Sequence, residues 1–212
     1  MNTPHELSQL LVDTEKTIDQ HGELPAANRL ILHRAMDALL TNIHSNAGHY
    51  TRAKLGVVCG YSSLFLLDVY QDRKSKATQL LQHAELMLQG KYDPDTLEIE
   101  NETQYADSVN LMNLEKPFVP AIYASFACSA AVNIVLYDSD FETLGISEKI
   151  AAPSDWDASF YASIAHCGGA VWEGVGDNQI RKSFWLWYLH QAIPFAWDTS
   201  QPASAYPRFT GR

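Results

Sequence analysis

The stretch PFVPAIYASFACSAAVNIVLY, residues 117–137, carries no charged side chain. It limits the fold more than any other feature, because a segment of this composition has to leave water on nearly every side. It is long enough to cross a bilayer, which takes ~20 apolar residues. Yet it contains Ser125, Ser129, Asn133 and an interior Pro120, and it leans on alanine rather than leucine. No cluster of lysine or arginine flanks it to set an orientation in a membrane. It therefore reads as a helix buried on all faces at the centre of a bundle, and no membrane partner is expected.

The segments around it are helical in period. Leu7, Leu10, Leu11, Thr14 and Ile18 form one stripe, which Gly22 ends. Leu30, Ile31, Met36, Leu39, Leu40 and Ile43 form a second, closed by Asn46 to Gly48. A third helix runs from about Tyr50 to Tyr70, and a fourth through Leu80, Leu81, Ala84 and Leu88 stops at Gly90. Residues 93–115 are acidic and weakly patterned, and are expected to form a loop and then a short helix. An apolar helix over residues 155–173 is capped by Asp155 or Asp157 and broken by Gly174 and Gly176. Asp177 caps the last helix, where Pro194 forces a kink or restart near Gln191.

No alternating strand pattern with turn chemistry accompanies these helices. The expected fold is all-α: one helical-bundle domain over residues 1–198, then an irregular tail over 199–212. Its central helices are rich in small residues. Gly56, Cys59, Gly60 and Ser63 on one, and Ala162, Ser163, Ala165 and Gly169 on another, let helix axes approach closely.

The 15 basic and 25 acidic residues give a net charge of −10. Such a chain repels phosphate backbones, so nucleic acid is not an expected partner, and a basic protein would be drawn to it. The three cysteines, Cys59, Cys128 and Cys167, lie far apart in apolar segments, which points to buried thiols and a reducing compartment. The N-terminus lacks a basic region followed by an apolar run, so the cytoplasm is the expected location.

Little in the sequence suggests catalysis. His33, Asp37 and His44 share a helix side, but Asp37 and His44 are ~10 Å apart along the axis, too far for one metal ion. No metal and no cofactor is expected. Cys167 adjoins His166, yet neighbours on a helix point ~100° apart. HCGGAVWEGVGD is glycine-rich without the order or the lysine of a phosphate loop. The acidic run Asp93, Asp95, Glu98, Glu100, Glu102 and Asp107 reads either as solvated surface or as a docking face for a basic protein. On the second reading, reversing Asp95, Glu98 and Glu100 to lysine would slow association.

RKSFWLWYLHQAIPFAW, residues 181–197, is too short an apolar run for an anchor, and its aromatics read as core, with their polar hydrogens satisfied by residues such as Asn133 or His166. Together with RAKLGVVCGYSSLFLLDVY (52–70) and DWDASFYASIAHCGGAVWE (155–173), it resembles immunity proteins of bacterial polymorphic toxin systems, specifically the mostly helical family numbered five. The resemblance rests on Arg52, Leu55 and Cys59; on Trp156, Asp157, Tyr161, Ala162 and Ala165; and on Arg181, Phe184, Trp185, Trp187, Tyr188, Ala192, Pro194 and Trp197. Leu186 departs from it, standing where a charged residue is expected. The resemblance implies a non-enzymatic inhibitor that binds a cognate toxin protein, and it supplies no catalytic residues. The alternative from another class is an enzyme or small-molecule-binding protein with a pocket near His166, Trp172 and Arg181.

Overall fold

A computed structural model describes residues 4–41, 46–137, 145–206, 209 and 211. The helices are α1 (His5–Glu15), α2 (Ala26–Thr41), α3 (Ala47–Ser63), α4 (Gln71–Leu88), α5 (Pro94–Met112), α6 (Val119–Tyr137), α7 (Ala158–Cys167) and α8 (Asn178–Trp187). Beyond α8 the same helix continues through a π-helical turn, Tyr188–Ala192, into α9 (Ile193–Trp197). No strand occurs among the described residues, and the fold is all-α.

α6 is the uncharged segment, and it lies at the centre. It packs against α3, α4, α5 and α7, and from Ala121 to Val135 only Tyr123 and Asn133 are less than fully buried. Its length and hydropathy would suit a membrane span, but neighbouring helices occupy the faces that lipid would cover. The small residues act as expected. A β-carbon on Gly60 would lie 3.6 Å from the Cys128 Cα, and one on Gly56 3.5 Å from the Ala131 Cα, so α3 and α6 touch almost backbone to backbone.

Several boundaries differ from expectation, each for a local reason. The third helix tightens into a 3-10 turn, Leu64–Val69, instead of continuing to Tyr70. The stretch 93–115, expected as a loop and then a short helix, instead forms the nineteen-residue α5, begun by Asp93, whose carboxylate accepts from the Thr96 N–H, and by Pro94 at the first turn. α7 stops at Gly168, in the left-handed region at φ 92°, six residues before Gly174. Its cap is Asp157, which accepts from the Ser159 and Phe160 N–H groups. Asp177 caps α8 in the same way. Beyond Trp197 the chain carries a 3-10 turn, Ala203–Ala205, and sets Phe209 against His166. Ile43 and His44 lie outside the described residues.

Pro194 is accommodated without a break. The Ile193 N–H reaches back five residues to the Tyr188 carbonyl, so the turn before the proline ring is widened. The extra residue also keeps one face inward. Arg181, Trp185, Leu189, Ile193 and Trp197 recur every four residues and are all buried. A plain α-helix would rotate such a stripe by ~40° at each step, and the π turn takes back most of that drift.

The aromatics of this helix are core, as expected, but their polar hydrogens are not satisfied as expected. The Trp185 and Trp197 indole nitrogens are buried without a hydrogen-bond partner among the described residues. Asn133 instead accepts from Asn101 at 2.7 Å, and the His166 ring lies near the Ser62 hydroxyl.

Candidate functional site

Two groups of charged residues stand out, one buried and one exposed. The buried group joins parts of the chain far apart in sequence. Arg29, at 0% exposure in the first turn of α2, donates from one guanidinium nitrogen to the Leu24 carbonyl, at 2.7 Å, and from the other to Glu148 and Asp157. The Asp157 contact is 2.8 Å, so this carboxylate caps α7 and pairs with Arg29 at once. Burial opposes ionisation of Asp157, but Arg29 and the Ser159 hydroxyl outweigh it and hold the carboxyl below its usual range. Arg181, also fully buried, donates to the Gly169 and His21 carbonyls and to the Asn178 side chain.

Glu23 lies between the two arginines, 3.6 Å from Arg181 Nε. One of its oxygens has no partner among the described residues. Burial outweighs the attraction of Arg29 and Arg181 and pushes its pKa up to about 7. A carboxyl whose folded pKa is raised above the ordinary ~4.3 favours folding below that value and loses this stabilisation as pH rises through the folded pKa. Wild-type stability should therefore decline between about pH 4.5 and 7 from this group, and Glu23→Gln should flatten that part of the profile. Chemical denaturation at several pH values checks it, and parallel profiles for the two proteins would contradict it.

The network has the character of a structural clamp. Among the described residues no group of three or more histidine, cysteine or acidic side chains could hold a metal. His33 pairs with the Tyr188 hydroxyl at 2.8 Å, Asp37 with Arg52 at 2.8 Å, and His44 lies outside the described residues. His166 is enclosed by Phe65, Phe184 and Phe209, and burial lowers its pKa to about 3, so the ring stays neutral. The Cys167 thiol turns away and donates to the Gly169 carbonyl at 3.2 Å. Trp172 stands against Trp156 and Phe160. Among the described residues no hydrogen bond or ring contact joins His166, Trp172 and Arg181 into one pocket.

The exposed group is the acidic run, which α5 sorts into separate faces. The helix buries Leu97, Asn101, Gln104, Ser108 and Leu111. Asn101, Gln104 and Ser108 hydrogen-bond across to Asn133, Ser129 and Ser125 of α6. On the α4 side, Asp107 pairs with Arg73 and with Lys76 (2.9 Å). Glu100 accepts from the Tyr92 hydroxyl at 2.8 Å and pairs with His83 at 2.7 Å. Asp93 is occupied as the helix cap. That leaves Asp95, Glu98 and Glu102 facing outward together. Asp95 and Glu102 have no hydrogen bond or ion pair among the described residues, and Glu98 accepts only from the Tyr137 hydroxyl. The Glu98 bond and the surrounding acids push the Tyr137 pKa up to about 12.

Below these acids the same stripe becomes apolar. Glu98, Glu102, Tyr105, Val109 and Met112 recur at alternating four- and three-residue spacing, one residue round the helix from the buried stripe. Tyr105, Val109 and Met112 are 43%, 38% and 56% exposed. Such an exposed apolar stripe was not anticipated from the sequence, although its spacing was there to find.

The buried arginines thus tie distant segments of an all-α bundle together, while α5 leaves Asp95, Glu98, Glu102, Tyr105, Val109 and Met112 exposed. A family model described as Immunity protein Imm5 matches residues 12–195, and the chain belongs to that family. Among curated proteins none matches the chain.

Proposed function

We propose that this chain is a non-enzymatic immunity protein that binds and neutralises a cognate bacterial toxin in the cytoplasm of the cell that makes both. The match to the Imm5 family over residues 12–195 carries this reading. The net charge of −10 adds to it, since an acidic inhibitor suits a basic toxin. A toxin that cuts nucleic acid would be basic in order to hold its own substrate, and it is the effector class we infer.

The three outward carboxylates of α5 would then steer the encounter. Glu100 is not a useful test of this, being tied to His83 and Tyr92. Reversing Asp95, Glu98 and Glu102 to lysine should slow association with the product of the adjacent toxin gene by roughly 10–100-fold at low salt, and should flatten its salt dependence. Stopped-flow or surface-based kinetics across a salt series measures both. Association rates matching wild type at every salt concentration would remove the acidic face from the account.

A further inference from the structure

We propose that the α5–α6 face is the toxin-docking surface, seating a segment that offers one cationic side chain to the groove beside Glu98 and Glu102 and apolar side chains to Tyr105, Val109 and Met112. This rests on the immunity reading and goes further, because it names the surface and the chemistry of the segment that fits it.

The groove opens between α5 and α6 with a volume of ≈ 290 Å³, lined by Glu98, Glu102, Tyr105 and Tyr137 over a floor that includes Asn101 and Asn133. Two carboxylates and two phenol rings around one opening suit a guanidinium or ammonium group, by charge and through the ring faces. The floor amides are engaged with each other and with Ser129, so the charge of the opening comes from the glutamates.

The apolar half adjoins it. α5 and α6 run antiparallel, as the pairings Glu98 with Tyr137 and Ser108 with Ser125 require. The exposed Val109 and Met112 therefore lie toward the start of α6, where Phe118 and Val119 are 42% and 40% exposed. An apolar patch bordered by like charges on one side has the anatomy of an interface centre with part of its polar rim.

A second copy of this chain is a poor occupant. Parallel pairing would set acid against acid, and antiparallel pairing would press the carboxylates of one copy onto the apolar half of the other. A basic amphipathic segment meets neither objection.

The test uses the full chain and the purified product of the adjacent toxin gene. Val109→Asp with Met112→Asp should weaken binding roughly 100-fold, mostly through faster dissociation, as loss of an interface centre does. Glu102→Gln, a change of one charge, should slow association about twofold at low salt. Ile31→Asp, an equally exposed change on α2, should leave both rates alone, and circular dichroism with melting shows that each variant folds. Hydrogen exchange should gain protection on the outward positions of residues 95–119 in the complex.

Wild-type binding that the α5 variants leave unchanged, or protection confined to other helices, overturns the docking surface while leaving the immunity reading intact. Failure of wild type to bind withdraws both. A wild-type dimer that the Val109/Met112 double variant turns into monomer would assign the face to self-association and likewise overturn the proposal.

Discussion

Replacing Arg29 with alanine is expected to cost about 3–5 kcal/mol of stability, because it leaves buried carboxylates without their cation, and to lower the melting temperature by roughly 10 °C. The residue is fully buried and joins the turn before α2, through the Leu24 carbonyl, to Glu148 and to the Asp157 cap of α7. Burial disfavours the guanidinium charge, yet Asp157 and Glu148 more than offset it and hold Arg29 ionised. Removing the cation strands Asp157 and Glu148 together.

Arg29→Lys should recover only part of the loss. A single ammonium lacks the planar fork that serves the Leu24 carbonyl with one nitrogen and the carboxylates with the other. Urea unfolding followed by far-UV circular dichroism measures the series. An Arg29→Ala cost below ~1 kcal/mol would place the network among ion pairs that contribute little.

Trp185→Ala is the second large effect, expected at about 3–5 kcal/mol, the range for deleting a large buried aromatic. Trp185 is 0% exposed, has the Arg29 guanidinium 5.0 Å from its ring centroid, and meets Phe184 and Tyr188 edge to face at 5.3 and 5.4 Å. Because it touches Arg29, the two alanine substitutions together should cost less than their sum.

Trp185→Phe should be milder than lost area suggests, since it also removes a buried indole N–H with no partner among the described residues. Denaturant midpoints for Trp185→Ala, Trp185→Phe, Arg29→Ala and the double alanine variant check all three expectations. Full additivity would separate the aromatic helix from the charge network.

These two positions also mark what the sequence could and could not disclose. The all-α class followed from helical period, and the central place of α6 followed from a run with no charge. The Asp157 and Asp177 caps were legible because a cap and the N–H groups it accepts lie within three residues. The Arg29 network was not, since its partners stand 119 and 128 residues away and no local pattern links them.

α5 was misread for a related reason. Its buried stripe is polar in the middle, at Asn101, Gln104 and Ser108, and this makes sense only beside Ser125, Ser129 and Asn133 of α6. Hydrophobic period fails where the buried contact is a hydrogen-bonded seam. The same turn of the helix divides the acidic run, so that Asp107 and Glu100 face the cations and His83 of α4 while Asp95, Glu98 and Glu102 face out.

The most direct measurement is protection in living cells. A candidate toxin, taken from the genes that neighbour this chain's own, is induced in a host with and without the chain, and viable counts are followed. The account predicts that the toxin alone stops growth, that co-expression restores it, and that the Val109→Asp, Met112→Asp double variant, though folded, restores it poorly. Growth arrest that persists beside abundant, folded wild-type protein would contradict the account.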